Sequence, residues 1–265
     1  MVESRSRGGS MIESRTMASN TLYGNDLFRY PAIEIGSSVE SFEGVRTSTR
    51  IIAAHRSARG GDWCEIFSLE NGLIAVSIGD VCGHGPVAFD PMVAIRSMIR
   101  DAAYDGLDPA AVLTAANEFI CARESELFAT AIFGVLNAQL GTFTFVSAGH
   151  PPPLLAGSGG AKFLSSQHPD YPLGLAPIFL PRTVVTSVPM ETLLVLYTDG
   201  VTEHERDVLR GEAQLFAAAI EIERDGSLPT ATAIAEHMGL EDSNHDDAAI
   251  LTAWIPYATS RARVR

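Results

Sequence analysis

The chain has 265 residues, and its content of 46 % hydrophobic and 19 % charged residues supports a sizeable core and argues against global disorder. Its net charge of −13 disfavours non-specific binding to nucleic acid or to anionic membranes, because both are polyanions. Three cysteines without a CxxC spacing indicate neither a disulfide framework nor a cysteine zinc site, and they fit a reduced, cytoplasmic compartment.

The two ends of the chain carry few structural signals. No run approaches the roughly 18 apolar residues of a membrane span, and the N-terminal residues lack the apolar middle of a secretory signal. We expect a flexible leader over residues 1–20 and an irregular lead-in with weak periodicity over 21–44. A single ordered domain over 45–258 and a basic tail over 259–265 are expected to follow.

Hydrophobic periodicity predicts ordered elements from Val45 onward. Asn71-Gly72 predicts a hairpin turn, and Asp108 before Pro109 is typical of a capped helix start. The elements predicted in chain order are strands at 46–55, 64–69 and 73–79, helices at 87–104 and 109–123, strands at 130–136 and 142–147, short strands flanking 157–160, a strand at 193–197, helices at 206–223 and 229–238, and a strand at 248–254. Hairpins outnumber βαβ units in this order, which favours an α+β fold with mainly antiparallel sheets.

Acidic residues recur beside glycine or another aspartate at predicted strand ends. They occur in Gly60-Gly61-Asp62, Gly79-Asp80, Asp199-Gly200 and Asp246-Asp247. Each alone is more often a turn former or a helix cap. Several carboxylates buried together are costly unless a cation compensates them, and hard cations such as Mg²⁺ or Mn²⁺ prefer oxygen ligands. Two such ions about 3.5–4 Å apart could clamp a phosphate and activate a water molecule.

Longer strings around these residues carry a specific resemblance. GGDWCEIFSLENGLIAVSIGDVCGHGPVA, FATAIFGVLN, FVSAGHPPPLL, YPLGL, LLVLYTDGVTE and HDDAAIL occur in that order over residues 46–254. Block by block they resemble the SpoIIE-like branch, which contains bacterial sporulation and stress-response regulators, of the PPM-type (type 2C) metal-dependent serine/threonine protein phosphatases. The resemblance implies a four-layer αββα sandwich with two central sheets and a site for two ions, Mn²⁺ or Mg²⁺, at one edge.

The resemblance also implies roles for individual residues. Asp80 resembles the carboxylate that bridges both metal ions, and the backbone carbonyl of Val81 resembles a further ligand of one ion. Asp199 and Asp246 resemble ligands of the second ion. Asp62 resembles the acid that binds one metal ion directly or through its waters. The implied catalytic set is therefore Asp62, Asp80, Asp199 and Asp246.

The implied reaction is hydrolysis of phosphoserine or phosphothreonine by a metal-activated water, without a phosphoenzyme. Within this branch the expected substrate is a phosphorylated anti-anti-sigma factor or a similar regulator. No sensor domain is recognisable before residue 45, so a regulatory partner or a homo-oligomer is the expected source of control. Two alternatives remain open: a non-catalytic relative that binds a partner through the same face, and a metal phosphoesterase for small molecules.

Some positions depart from the family pattern or carry no settled role. Glu65 stands where the family often has Asp, which weakens the case for a direct metal role. Cys64 and Cys82 are expected to be ordinary buried cysteines, although redox sensitivity or adventitious zinc binding stays open. Asp247 is expected to support the site rather than to bind metal.

Histidines and arginines near the motifs are further candidates for catalytic groups. His84 is expected to stabilise its turn, with a role as general acid left open, and His150 is expected to hold a loop. A phosphate-binding arginine is expected on general grounds. Arg56 and Arg59 precede Asp62, but their spacing assigns neither of them to that role.

Overall fold

The structure is a computed structural model that describes residues 36–54, 60–83, 86–123, 126–164, 170–203, 206–225, 230–240 and 246–256. All of them belong to one compact unit, residues 33–265. The expected leader, most of the lead-in and the basic tail lie outside the described residues, and so do Arg56, Arg59 and His84. No helix within the described ranges is long and apolar enough to cross a bilayer.

The described residues contain two sheets and four longer helices. The strands are β1 (Gly36–Phe42), β2 (Val45–Ile52), β3 (Asp62–Ser68), β4 (Ile74–Val81), β5 (Ala129–Asn137), β6 (Thr142–Ala148), β7 (Leu154–Gly157), β8 (Gly160–Phe163), β9 (Val184–Ser187), β10 (Thr192–Tyr197) and β11 (Ala248–Ile255). The helices are α1 (Pro86–Tyr104), α2 (Pro109–Cys121), α3 (Val208–Asp225) and α4 (Ala231–Met238).

Both sheets are antiparallel throughout. One has six strands in the order β1-β2-β11-β10-β7-β8, and the other has five in the order β3-β4-β5-β6-β9. Four pairings are hairpins between consecutive strands: β3-β4 and β5-β6 in the five-stranded sheet, and β1-β2 and β7-β8 in the six-stranded sheet. The predicted α+β class with mainly antiparallel sheets is confirmed.

Three hydrophobic clusters define four layers. The first cluster joins α1 and α2 to the five-stranded sheet and includes Trp63, Ile95 and Leu113. The second lies between the two sheets and includes Ile78 and Leu251. The third joins α3 and α4 to the six-stranded sheet. The order is therefore helices, sheet, sheet, helices, which confirms the αββα sandwich that the resemblance implied.

Local signals explain several element boundaries. Asn71 and Gly72 both have positive φ, 59° and 71°, which is the left-handed conformation that the predicted Asn-Gly turn requires. Asp108 caps α2, because its carboxylate accepts the backbone N–H of Ala111 at 2.9 Å. These two features confirm the predicted turn between β3 and β4 and the predicted start of α2.

Two strands were not predicted. β1 lies in the segment predicted to be an irregular lead-in. That prediction is wrong for residues 36–42, which pair with β2 from Gly36 to Phe42. β9 pairs with β6 through four residues. Both are edge strands, and their side chains are mostly exposed or half-buried, so neither shows a clear alternation of apolar and polar residues.

Candidate active site

The first two acidic residues face each other across a strand pair. Asp62 begins β3 and lies opposite Asp80, near the end of β4. Residues that are paired across antiparallel strands point to the same face of the sheet. Cys64, the next residue on this face of β3, packs into the core between the sheets. The carboxylates of Asp62 and Asp80 therefore lie together at the end of the inter-sheet layer.

Glycine brings the backbone of Val81 to the same place. The Val81 N–H donates to the carbonyl oxygen of Gly61 at 3.2 Å. A Cβ on Gly61 would lie 2.5 Å from the Val81 carbonyl oxygen and 3.0 Å from Asp80 Oδ1. Only glycine fits here without displacing these oxygens. The two ligand atoms expected from Asp80 and Val81 thus border one small volume beside Gly61.

The six-stranded sheet contributes the other acidic residues at the adjoining ends of two paired strands. Asp199 follows β10, Asp246 precedes β11, and Tyr197 pairs with Ile250 in the register that joins these strands. The contact is close, because a Cβ on Gly200 would lie 1.9 Å from the Asp247 carbonyl oxygen. The backbone segments that carry Asp199 and Asp246 are therefore neighbours.

A hydrogen bond joins the two sheets at this end. The hydroxyl of Thr198, the residue before Asp199, donates to Asp62 Oδ2 at 2.7 Å. Asp62 is buried, Asp80 and Asp199 are half-buried, and Asp246 is exposed. The structure thus brings the predicted acids from both sheets to one edge of the sandwich, partly open to solvent.

Burial and like charge raise the pKa of several of these carboxyl groups. Burial, followed by the charge of Asp80, holds the pKa of Asp62 well above its ordinary value. Burial is also the main cause that raises the pKa of Asp80 to about 6, opposed by its hydrogen bond with Asp62 and reinforced by the charges of Asp199 and Asp246. The pKa of Asp199 is raised by burial and then by Asp246. Bound cations would offset this repulsion.

The chemistry of the donors fits hard divalent cations. The converging groups are carboxylates and one backbone carbonyl, which are the oxygen ligands that Mg²⁺ and Mn²⁺ prefer. Within the described ranges, however, no three Asp, Glu, His or Cys side chains are arranged as a ready metal-binding cluster.

Asp247 contacts the chain segment before β3. Its Oδ1 accepts the backbone N–H of Ala54 at 3.0 Å, and its carboxylate lies against Gly60. Its own N–H donates to Asp246 Oδ1 at 2.8 Å. These contacts fit the expectation that Asp247 shapes the site rather than binding metal.

Glu65 faces away from the site. It is three residues after Asp62 in β3, so its side chain points to the opposite face of the sheet. There it forms an ion pair with Arg100 of α1. This position agrees with the expectation that Glu65 is not a direct metal ligand.

The two cysteines beside the site differ from each other. Cys64 is buried between the sheets, and burial raises the pKa of its thiol to about 12, so it stays protonated. Cys82 is exposed. The expectation of two buried cysteines is right for Cys64 and wrong for Cys82.

His150 is buried and holds the loop after β6, as expected. Its Nδ1 is 2.8 Å from the Thr130 hydroxyl, and its carbonyl oxygen accepts the Ser147 hydroxyl at 3.3 Å. Burial lowers the pKa of the ring to about 3, so the ring is neutral near pH 7. A neutral, buried imidazole fits a structural role better than that of a general acid.

A known protein family matches more than half of the chain. The sequence profile of the family "Stage II sporulation protein E (SpoIIE)" matches residues 70–256. The chain belongs to the SpoIIE family. The match begins within the β3–β4 connection and ends after β11, so it includes Asp80, Asp199 and Asp246.

This SpoIIE-family chain is similar to curated proteins of two bacteria. It is similar to protein IcfG of Synechocystis, with 29 % identity over 175 residues that make up 54 % of this chain and 27 % of the relative. It is also similar to the phosphoserine phosphatase RsbU of Bacillus subtilis, with 24 % identity over 195 residues, 73 % of this chain and 54 % of the relative. The chain thus spans about a quarter to a half of the length of these relatives.

Solved structures share the fold. The RsbU and RsbW domains of a Mycobacterium tuberculosis protein match with a TM-score of 0.70 and 24 % identity, over 84 % of this chain and 61 % of that one. The PP2C phosphatase domain of SpoIIE from Bacillus subtilis matches with a TM-score of 0.69 and 18 % identity, over 80 % and 63 %. RsbX in complex with magnesium matches with a TM-score of 0.64 and 17 % identity, over 82 % and 98 %.

Two further residues beside these acids were not predicted from the sequence. Thr198 bonds to Asp62, and Glu203 has a raised pKa because of burial and the charges of Asp199 and Asp246. Both belong to the string LYTDGVTE that supported the resemblance. The string marked the region, but only the packing of the two sheets shows which atoms these residues contact.

Proposed function

We propose that this chain is a metal-dependent phosphatase that hydrolyses phosphoserine or phosphothreonine of a protein. The observation that carries the proposal is the convergence of acids from both sheets. Asp62 and Asp80 pair in the five-stranded sheet, and Thr198 joins Asp62 to the strand end that carries Asp199. Such a cluster of oxygen donors at an open edge suits two-metal phosphate chemistry.

The proposed site holds two ions, Mn²⁺ or Mg²⁺. Asp80 would bridge the two ions. The carbonyl of Val81 and the carboxylate of Asp62 would be further ligands of the first ion, and Asp199 and Asp246 would be ligands of the second. When bound, such ions neutralise charge on phosphoryl oxygens and lower the pKa of a water molecule. The magnesium complex of the similarly folded RsbX supports this choice of ion type.

The residues of the chain would fix the geometry of the reaction. The β3–β4 pairing holds Asp62 and Asp80 side by side, and the contact of Gly200 with Asp247 holds the two loops of the other sheet together. Hydrolysis forms a bond between phosphorus and the oxygen of water and breaks the bond to the serine or threonine oxygen. The leaving oxygen takes up a proton.

The accessibility of the site supports a protein substrate. Asp246 and Cys82 are exposed, while Asp80 and Asp199 are half-buried. A phosphorylated side chain on a large partner can therefore approach this edge of the sandwich. We propose a phosphorylated anti-anti-sigma factor or a similar regulator as the substrate, in the cytoplasm. The phosphoserine phosphatase name of the relative RsbU supports the phosphoserine specificity.

The test measures hydrolysis of two phosphate esters by the purified chain. With Mn²⁺ present, the protein should release phosphate from p-nitrophenyl phosphate and from a phosphorylated anti-anti-sigma protein. Mass spectrometry of the anti-anti-sigma protein measures the loss of its phosphate. EDTA and the substitutions Asp80→Asn or Asp199→Asn should each abolish both activities, since each removes ions or an ion ligand. Loss of about 10²-fold or more is expected for a group that stabilises transition-state charge.

Asp105→Asn is the matched control, because Asp105 is an exposed aspartate after α1. This variant should keep the wild-type rate. Turnover that survives complete chelation would refute the metal mechanism. Activity on p-nitrophenyl phosphate without activity on any phosphoprotein would instead favour the small-molecule alternative.

A further inference from the structure

Thr198 is fully buried at the end of β10, and its hydroxyl makes two well-formed hydrogen bonds. Its Oγ1 accepts the backbone N–H of Ala249 at 2.8 Å. The hydroxyl proton then points to Asp62 Oδ2 at 2.7 Å, since the alternative acceptor, the Ala249 carbonyl oxygen, is at 3.5 Å. The side chain is therefore a fixed donor to one oxygen of the Asp62 carboxylate.

This donor connects parts of the chain that are distant in sequence. Asp62 lies 136 residues before Thr198 and belongs to the other sheet. The backbone of Thr198 is already paired, because its N–H donates to the Ala249 carbonyl oxygen at 3.0 Å. The hydroxyl oxygen completes the pairing with Ala249 by accepting its N–H, but the hydroxyl proton has no part in that pairing. Its donation to Asp62 therefore needs another explanation.

We propose that Thr198 is a positioning residue for the metal centre, an inference that rests on the proposed function. The hydroxyl fixes Asp62 Oδ2 and so sets the rotation of the carboxylate, which leaves the other oxygen for ligation. The same hydroxyl ties this acid to the segment that carries Asp199. Groups that hydrogen-bond to metal ligands in this way orient them and tune their affinity.

The inference predicts a specific pattern in three variants. Thr198→Val keeps the branched shape and removes the donor, so the dissociation constant for Mn²⁺ should rise about 10–100-fold. Thr198→Ser keeps the hydroxyl and should bind Mn²⁺ with nearly the wild-type constant. Thr252→Val is the control, because Thr252 is equally buried, lies within β11 and donates to a backbone carbonyl away from the acids. This control should leave the constant unchanged.

The experiment uses the full chain stripped of metal with a chelator and then titrated with Mn²⁺ in a calorimeter. The melting temperature of each metal-free variant is measured beside it. A purely structural role would lower the metal-free melting temperature of Thr198→Val and leave the Mn²⁺ constant of the folded protein unchanged. If Thr198→Val is unfolded at the assay temperature, Thr198→Ala takes its place with the same expected rise.

The possible results distinguish a failure of the metal centre from a failure of the role of Thr198. Wild-type protein that binds no Mn²⁺ would refute the metal centre itself. Wild-type protein that binds Mn²⁺ while Thr198→Val binds it equally well would refute only the role of Thr198. If the dissociation constant for Mn²⁺ rose as much in Thr198→Ser as in Thr198→Val, that role would also be refuted, because Thr198→Ser keeps the hydroxyl donor.

Discussion

Close backbone contacts at single glycines hold the acidic loops in place. Gly200 lies in the short turn Asp199–Val201 and is buried. A Cβ at this position would lie 1.9 Å from the carbonyl oxygen of Asp247, which is backbone and cannot rotate away. The turn after β10 and the segment before β11 can therefore approach each other only with glycine here.

Gly200→Ala should destabilise the protein and weaken Mn²⁺ binding together. Forcing a methyl group into a packed position costs about 1–3 kcal/mol, and here the displaced segment carries Asp246. Thermal or urea unfolding measures the first effect, and Mn²⁺ calorimetry measures the second. Gly159→Ala is the control, because a Cβ on Gly159 would meet nothing within 4 Å. Equal stability of the two variants would contradict the contact.

Among the elements, β3 contacts a different layer of the sandwich with each of its two faces. One face carries Asp62 toward the site and Cys64 into the inter-sheet core. The other face carries Glu65, which is 8 % exposed and forms an ion pair with Arg100 of α1. The strand that begins with Asp62 is thereby attached to α1 by an ion pair between a buried glutamate and a half-buried arginine.

Glu65→Leu should lower the free energy of unfolding by about 1–3 kcal/mol, since it removes the carboxylate that pairs with the half-buried Arg100 guanidinium. The double variant Glu65→Leu/Arg100→Leu should recover most of this loss, because apolar residues can replace a buried pair at little cost. Urea unfolding measures both. Glu70→Leu, at an exposed glutamate, should change stability by no more than about 0.5 kcal/mol. A Glu65 variant as stable as this control would contradict a stabilising pair.

At the scale of the whole molecule, the site lies where both sheets end together. Each sheet packs helices on its outer face and the other sheet on its inner face, so the inter-sheet layer reaches the surface only at its edges. Acids at or just beyond the ends of strands can meet at such an edge without entering the apolar core. This placement explains how Asp62 of one sheet and Asp199 after a strand of the other become neighbours.

The sequence predicted the parts of this architecture that depend on local pattern. Strong apolar runs such as that of β10 and turns such as Asn71-Gly72 are set by neighbouring residues, and they were predicted correctly. The edge strands β1 and β9 were missed because one or both faces are open to solvent, so their pattern is weak. Pairing with β2 and β6, respectively, decides their conformation.

The site was only partly accessible to sequence reasoning. The motifs identified the acids. Strand alternation alone could have predicted that Glu65 and Asp62 point to opposite faces of β3. The bond from Thr198 to Asp62 could not be predicted, because it joins residues 136 apart through the stacking of two sheets. The exposure of Cys82 also depends on how the chain turns after β4.

Anomalous diffraction from a crystal soaked in Mn²⁺ would show whether the acids at this edge hold two metal ions. We expect two anomalous peaks about 3.5–4 Å apart, with Asp80 between them and oxygen atoms of Val81, Asp199 and Asp246 at bonding distance. Both peaks should be lost or displaced in Asp80→Asn crystals. A well-ordered soaked crystal with no peak beside these residues, or with manganese bound elsewhere, would refute the proposed metal centre.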